Sequence, residues 1–149
     1  MAELLIIAHA PLASALRGVA EHVYPDAARR LAVLDVLPAW SQDEVEAAAR
    51  AALAPFAGTQ VLVLTDVFGA TPCNVAQRIA DGVSVRVVTG VNVAMLWRAL
   101  CYAHEPLEAL VGRAVTGGSQ GVMQLTAQRP QNQPVHSRPH DPQHAHHQQ

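Results

Sequence analysis

The chain reads as an α/β protein built on a doubly wound, mainly parallel sheet with helices on both faces. Three observations predict this. Four short apolar runs, Leu4 to Ala8, Leu31 to Val36, Val61 to Thr65 and Val83 to Thr89, are continuous rather than alternating, as strands covered on both faces must be. Helical periodicity fills the intervals between them, so strands and helices alternate along the chain. Polar residues then gather where the strands end: His9 after the first, Asp35 in the second, Asp66 after the third, Thr89 and Asn92 at the fourth. Open α/β sheets bind their ligands beyond those carboxyl ends.

The elements follow in order. Pro11 suits the first helical position, because its missing N–H is one that a helix start leaves unused. Leu12, Leu16, Val19 and Val23 recur at spacings of four, three and four, which is one face of a helix. Ser41 and Glu44 form a capping box that opens a second helix, to about Phe56. Thr71 and Pro72 read as the cap and first turn of a third, to about Ala80. A fourth helix spans about Val93 to Tyr102, and Leu107 to Ala114 forms a short fifth.

Gly117 and Gly118 then read as a flexible connection to a brief C-terminal strand over Val122 to Leu125. Right-handed crossovers and a flavodoxin-like strand order 2-1-3-4, plus that short strand, set strand one beside strand three, with the switch point between them. The open sheet leaves edges to be covered. A strand on a glycine hinge can pair with its own sheet or with a partner's, and the expectation is a homodimer that shares it.

With 149 residues, 50% hydrophobic and 15% charged, the chain suffices for one core. Its apolar runs fall short of the ~20 residues of a membrane-spanning helix. Met1-Ala2-Glu3 lacks the basic start of a signal peptide, so a cytoplasmic protein is expected. Cys73 and Cys101 lie far apart and follow no metal or redox spacing. Ten basic and twelve acidic residues without a basic cluster give no nucleic-acid footprint.

Beyond Leu125 the chain turns rich in Gln, Pro and His. The domain is therefore drawn as residues 1–126, with a disordered tail over 127–149. That tail holds His136, His140, His144, His146 and His147. They could gather weakly around a divalent ion, but a solvated low-complexity tail is the reading adopted, and no metal site or cofactor is assigned.

The stretch Thr65-Asp66-Val67-Phe68-Gly69-Ala70-Thr71-Pro72-Cys73-Asn74 concentrates the chemistry. In the order 2-1-3-4, His9 and Asp66 face each other across the switch point. A carboxylate that accepts one ring N–H of an imidazole fixes its tautomer and leaves the other nitrogen with a free, more basic lone pair. The loop Gly69-Ala70-Thr71 at a helix start offers backbone amides, a hydroxyl and a positive dipole end, which suit phosphate oxygens. Nucleophile, orienting acid and anion cradle together describe phosphoryl transfer through a phosphohistidine. Taken singly, each part also has a plain structural use: a satisfied histidine, an acid capping amides, a helix start. Cys73, at the same helix start, lacks the downstream arginine of a cysteine phosphatase loop and is read as packing.

The segments LLIIAHAPLASAL, VLVLTDVFGATPCNVAQ and VVTGVNVAMLWRAL, in this order and spacing, resemble the enzyme IIA component of the mannose-family sugar phosphotransferase system. The resemblance covers about residues 2 to 125 and is most specific from Asp66 to Asn74. It implies that His9 is phosphorylated, that Asp66 orients it, and that Gly69, Ala70, Thr71 and Asn74 bind the phosphoryl group, with Phe68 and Asn92 at the rim.

It further implies the phosphocarrier protein HPr as donor, a IIB component as acceptor, an exchanged C-terminal strand in a homodimer, and peripheral association with a membrane permease. Two positions depart from the family pattern: Ala10 stands where a Gly is usual, and Ala94 where a Pro is frequent. No segment of this chain resembles a IIB domain, which puts the acceptor on another protein. The same chemistry used as a regulatory signal, and a non-enzymatic flavodoxin-like binding module, are the alternative readings.

Overall fold

The computed structural model describes residues 1–128, so the metal and disorder readings of the tail lie almost wholly outside the described residues. Four parallel strands, β1 (Glu3–His9), β2 (Leu31–Val36), β3 (Val61–Thr65) and β4 (Val85–Thr89), form one sheet in the order β2-β1-β3-β4. This is the order expected. The helices are α1 (Leu12–Val23), α2 (Pro25–Ala28), α3 (Gln42–Leu53), α4 (Thr71–Ile79), α5 (Val93–Cys101) and α6 (Leu107–Gln120), with a 3-10 turn over Ala54–Phe56.

Because successive strand residues point to opposite faces, the continuous apolar runs feed two cores. Leu4, Ile6, Leu62 and Leu64 pack with Leu16 of α1, Leu96 of α5 and Leu110 of α6. Leu5, Ile7, Val61 and Val63 pack on the other face with Val45 of α3 and Val75 and Ala76 of α4. All five residues of β3 are buried, as its central place requires.

Several local expectations hold. Ser41 accepts the Glu44 amide, and the Glu44 carboxylate accepts the Ser41 amide, completing the capping box. Others change for physical reasons. The buried face of α1 is Ala13, Leu16 and Ala20, while Leu12, Val19 and Val23 stay 37%, 38% and 42% exposed. Two small residues let the helix lie close to the sheet, and a reading weighted by large apolar side chains misses them.

β4 starts at Val85 rather than Val83, because Asp81 accepts the amides of Val83, Ser84 and Val85 and holds them in a turn. The cap of α4 is Ala70, and Thr71 is already helical. The single helical turn of α2 was not expected.

The glycine connection is the largest correction. Gly117 and Gly118 lie inside α6, and no strand forms over Val122 to Leu125 in the single chain. A Cβ at Gly117 would stand 2.7 Å from the Arg98 Cβ, and one at Gly118 3.2 Å from the Met95 Cβ. These glycines let α6 approach α5 closely; they are not a hinge.

Candidate functional site

β1 and β3 are neighbours, with Ile7 opposite Thr65, so the residues that follow, His9 and Asp66, meet at the carboxyl edge. Asp66 Oδ2 lies 2.6 Å from His9 Nδ1 and accepts the His9 backbone amide at 2.9 Å; Oδ1 accepts the Val67 amide at 2.9 Å. The side chain of Asp66 is 11% exposed and that of His9 53%. The acid is therefore enclosed and the imidazole open to a partner.

Burial pushes the Asp66 carboxyl upward, but the hydrogen bonds from the His9 amide, the His9 ring and the Val67 amide outweigh it and hold the group below the usual aspartate value. A carboxylate only accepts, so Nδ1 is the donor to Asp66, and in a neutral imidazole Nε2 then keeps its lone pair.

The loop after Asp66 turns through Gly69, whose φ of +86° is the left-handed region that glycine adopts without strain. It delivers Ala70 as the cap of α4. The first intrahelical bond runs from the Asn74 amide to the Ala70 carbonyl. The Thr71 and Cys73 amides thus remain the free donors of a helix start, and Pro72 has none to offer. The first turn of α4 holds no acid and the cap supplies no side chain, so its positive end is uncompensated. By strand alternation the His9 side chain leaves β1 on the face that α4 covers.

His9, Asp66 and the loop Gly69-Ala70-Thr71 therefore come together at one edge. Asn74 leans back, its Nδ2 3.5 Å from the Gly69 carbonyl, which makes it a weak brace of the loop. Asn92 has both ends of its amide engaged: Oδ1 accepts the Met95 amide at 2.8 Å, capping α5, and Nδ2 donates to the Gly118 carbonyl at 3.0 Å. That geometry makes it a tie between helices rather than a rim group. Phe68 is 74% exposed on the loop.

Leu12, Leu37 and Val67, also exposed, follow the ends of β1, β2 and β3 and so stand at the same carboxyl edge, a set that sequence reasoning did not assemble. Asp35, noted only as a polar strand residue, binds Ser14 at the start of α1. His22 lies within α1, and His104 lies beyond α5 beside Met1 and Leu4 at the amino end of β1, away from the carboxyl edge. Ala10 needs no positive φ, since among the described residues only glycines have one, and the Ala10–Pro11 peptide bond is cis. Among the described residues no group of His, Cys, Asp and Glu is placed to hold a metal ion, and no helix is long and apolar enough to cross a membrane.

A family model described as the fructose IIA component of the phosphotransferase system (PTS) matches residues 3–115. The mannose/sorbose-specific IIA subunit from Enterococcus faecalis superposes with a TM-score of 0.79 at 25% identity, over 87% of this chain and 98% of that one. The IIA protein associated with the fucose utilization operon of Streptococcus pneumoniae gives 0.65 at 25% identity, over 83% and 96%. Component EIIA from Streptococcus agalactiae gives 0.75 at 23% identity, over 83% and 97%, a likeness of fold. No curated protein matches the chain.

Proposed function

The chain belongs to the IIA-component family of the sugar phosphotransferase system, and from that premise we propose that it is a phosphocarrier working through His9. The observation that carries this reading is the single oxygen Asp66 Oδ2, which accepts both the backbone amide and the ring Nδ1 of His9. Two bonds from one residue fix the ring's position as well as its tautomer, and Nε2 is left facing outward as the nucleophile.

In the proposed step the Nε2 lone pair attacks the phosphorus of phospho-HPr. The donor's P–N bond breaks, and its electron pair returns to the donor imidazole. The His9 ring keeps its Nδ1 proton and gains positive character, which the Asp66 carboxylate offsets. The amides of Thr71 and Cys73, the Thr71 hydroxyl and the α4 dipole receive the phosphate oxygens. A second attack, by a IIB component, passes the group on. The exposed Leu12, Leu37, Val67 and Phe68 give both partners an apolar surface around the ring. Such partners place the working protein in the cytoplasm.

The same reading includes a homodimer. β4 is an edge strand, and Val115, Val122, Met123 and Leu125 are exposed near the end of α6. Val115 and Val122 line a pocket of about 260 Å³ together with Val88, Thr89 and Met95. A second copy laid along this edge would pair its backbone and cover those side chains. Light scattering of the intact protein at micromolar concentration should give twice the chain mass; a monomer refutes this part.

The test of the main reading is incubation with phosphoenolpyruvate, enzyme I and HPr. One acid-labile phosphoryl group is expected on His9 and none in His9→Ala. Mass spectrometry that places the label on His22 or His104 instead sinks it.

A further inference from the structure

A cavity of about 580 Å³ runs along the outer side of α5, lined by Tyr24, Ala94, Trp97, Arg98, Cys101 and Tyr102. Its residues take no part in the phosphoryl step. Ala94, Trp97, Arg98 and Cys101 recur at helical spacing and form the face of α5 turned away from the buried Met95, Leu96, Ala99 and Leu100. The walls are aromatic and held in place. The Tyr24 and Trp97 rings meet edge to face, with 6.3 Å between centroids and 78° between planes. The Arg113 guanidinium lies 4.2 Å over the Tyr102 ring, and Glu105 holds Arg113 at 3.0 Å. Among the described residues the Arg98 guanidinium has no ion-pair partner. Aromatic-lined grooves take proline-rich segments, because the fixed φ of proline leaves such a segment little freedom to lose on docking. A free cation at the rim adds a place for an acid.

We propose that this groove is the docking site of the chain's own segment Arg138-Pro139-His140-Asp141-Pro142. Pro139 and Pro142 make the only P-x-x-P spacing in the sequence, and Asp141 is the only acid beyond Glu108, so one segment carries both features that the groove asks for. The path to it is short. Gly121 follows the end of α6 and lies against Ala94, where a Cβ on Gly121 would stand 2.5 Å from the Ala94 Cβ. The chain therefore leaves α6 at one end of the groove. Pro139 comes 18 positions after Gly121, a reach of up to roughly 60 Å, whereas α5 is about 12 Å long from Ala94 to Tyr102. Tethering over such a span gives an effective concentration on the order of millimolar. Five residues laid into a preformed groove need no core of their own, which agrees with a segment poor in apolar side chains. The apolar residues offered to a second copy, Val115, Val122, Met123 and Leu125, are not in this groove.

Cys101 reports on the groove from within, because it is exposed there while Cys73 is buried. Alkylation by iodoacetamide under native conditions is followed by mass spectrometry on the 149-residue wild type, on the double variant Pro139→Ala with Pro142→Ala, and on Asp141→Asn. None of these substitutions touches a strand or helix, and Tm should be the same in all three. Cys101 should react about twofold faster or more in the double variant, twofold being the value for a groove half occupied at millimolar effective concentration. Asp141→Asn should change the rate in the same direction, and Cys73 should stay protected throughout. In ¹⁵N NMR the indole N–H of Trp97 should shift between the wild type and the double variant, while that of Trp40, which packs on the opposite face of the sheet, should not.

Equal Cys101 rates in the three proteins with an unmoved Trp97 resonance overturn the proposal. Protection of Cys101 that is lost when the wild type is diluted overturns it as well, since a segment of the same chain docks at any concentration and only a second copy leaves on dilution.

Discussion

Asp66→Asn exchanges one carboxylate oxygen for an NH₂ group at nearly constant shape, and the hydrogen bonds around Asp66 determine what that costs. Oδ2 serves both contacts to His9 and Oδ1 serves the Val67 amide. If the Asn oxygen takes the Oδ2 place, its NH₂ meets the Val67 N–H, donor against donor. If the nitrogen takes that place, it opposes the His9 N–H and must donate to Nδ1, which drives the ring proton to Nε2 and removes the nucleophile.

Either orientation leaves one donor of this partly exposed site unmet, at about 1 kcal/mol of stability. Loss of the orienting charge, with or without the wrong tautomer, should slow transfer by about 10² to 10⁴-fold. The lower bound corresponds to roughly 2.7 kcal/mol of barrier. The assay is the rate of phosphoryl transfer from phospho-HPr, measured beside a thermal melt that establishes folding. A folded Asp66→Asn protein phosphorylated at the parent rate would falsify the orienting role. The acid limb gives an independent check. Because the folded value of Asp66 is depressed, its contribution to stability is complete above the unfolded aspartate value of about 4 and is lost as pH falls through the lower folded value. Asp66→Asn should lack that part of the acid dependence.

Three further outcomes are expected. Phe68→Ala, at a side chain 74% exposed, should leave Tm unchanged and raise KM for phospho-HPr about fivefold, the loss typical of an interface aromatic worth about 1 kcal/mol; an unchanged KM removes it from the docking surface. Gly117→Ala should lower Tm, since the new Cβ meets Arg98 Cβ at 2.7 Å and overpacking of about 1–3 kcal/mol exceeds the gain in helix propensity of about 1; a raised Tm refutes the close-packing account. Asp81 is held far below the usual aspartate value by the Ser84 hydroxyl and then by the Val85 and Val83 amides, so Asp81→Ala should lower Tm at neutral pH. That difference should shrink as pH falls below about 4, and one constant between pH 7 and pH 2 shows that the charge is not what caps the turn.

The strands, their order and the meeting of His9 with Asp66 were legible in the residues because they follow from local chemistry. Continuous apolar runs separated by helices leave few arrangements open, and each puts its polar strand ends at one edge. The capping box at Ser41 was legible for the same reason, since both partners lie three residues apart. Gly69, too, announces a turn wherever it stands in such a loop.

What the sequence concealed depends on partners distant along the chain. The spacing of Leu12, Val19 and Val23 describes a helix truly but not its buried face, which the small side chains of Ala13 and Ala20 decided by letting α1 settle on the sheet. Gly117 and Gly118 look alike as a hinge or as a close helix contact, and only the approach of α5, at Arg98 and Met95, distinguishes the two. Asn92 and Asp35 both stand at strand ends, where a ligand is expected. The fold gave Asn92 to Met95 and Gly118, and Asp35 to Ser14, 21 positions away. By itself the sequence determined which groups stand at the carboxyl edge, because strand period and turn chemistry act over a few residues. Tertiary structure decided which of them keep a free lone pair or amide, because a hydrogen bond formed across the fold removes a group from use and no local pattern records it.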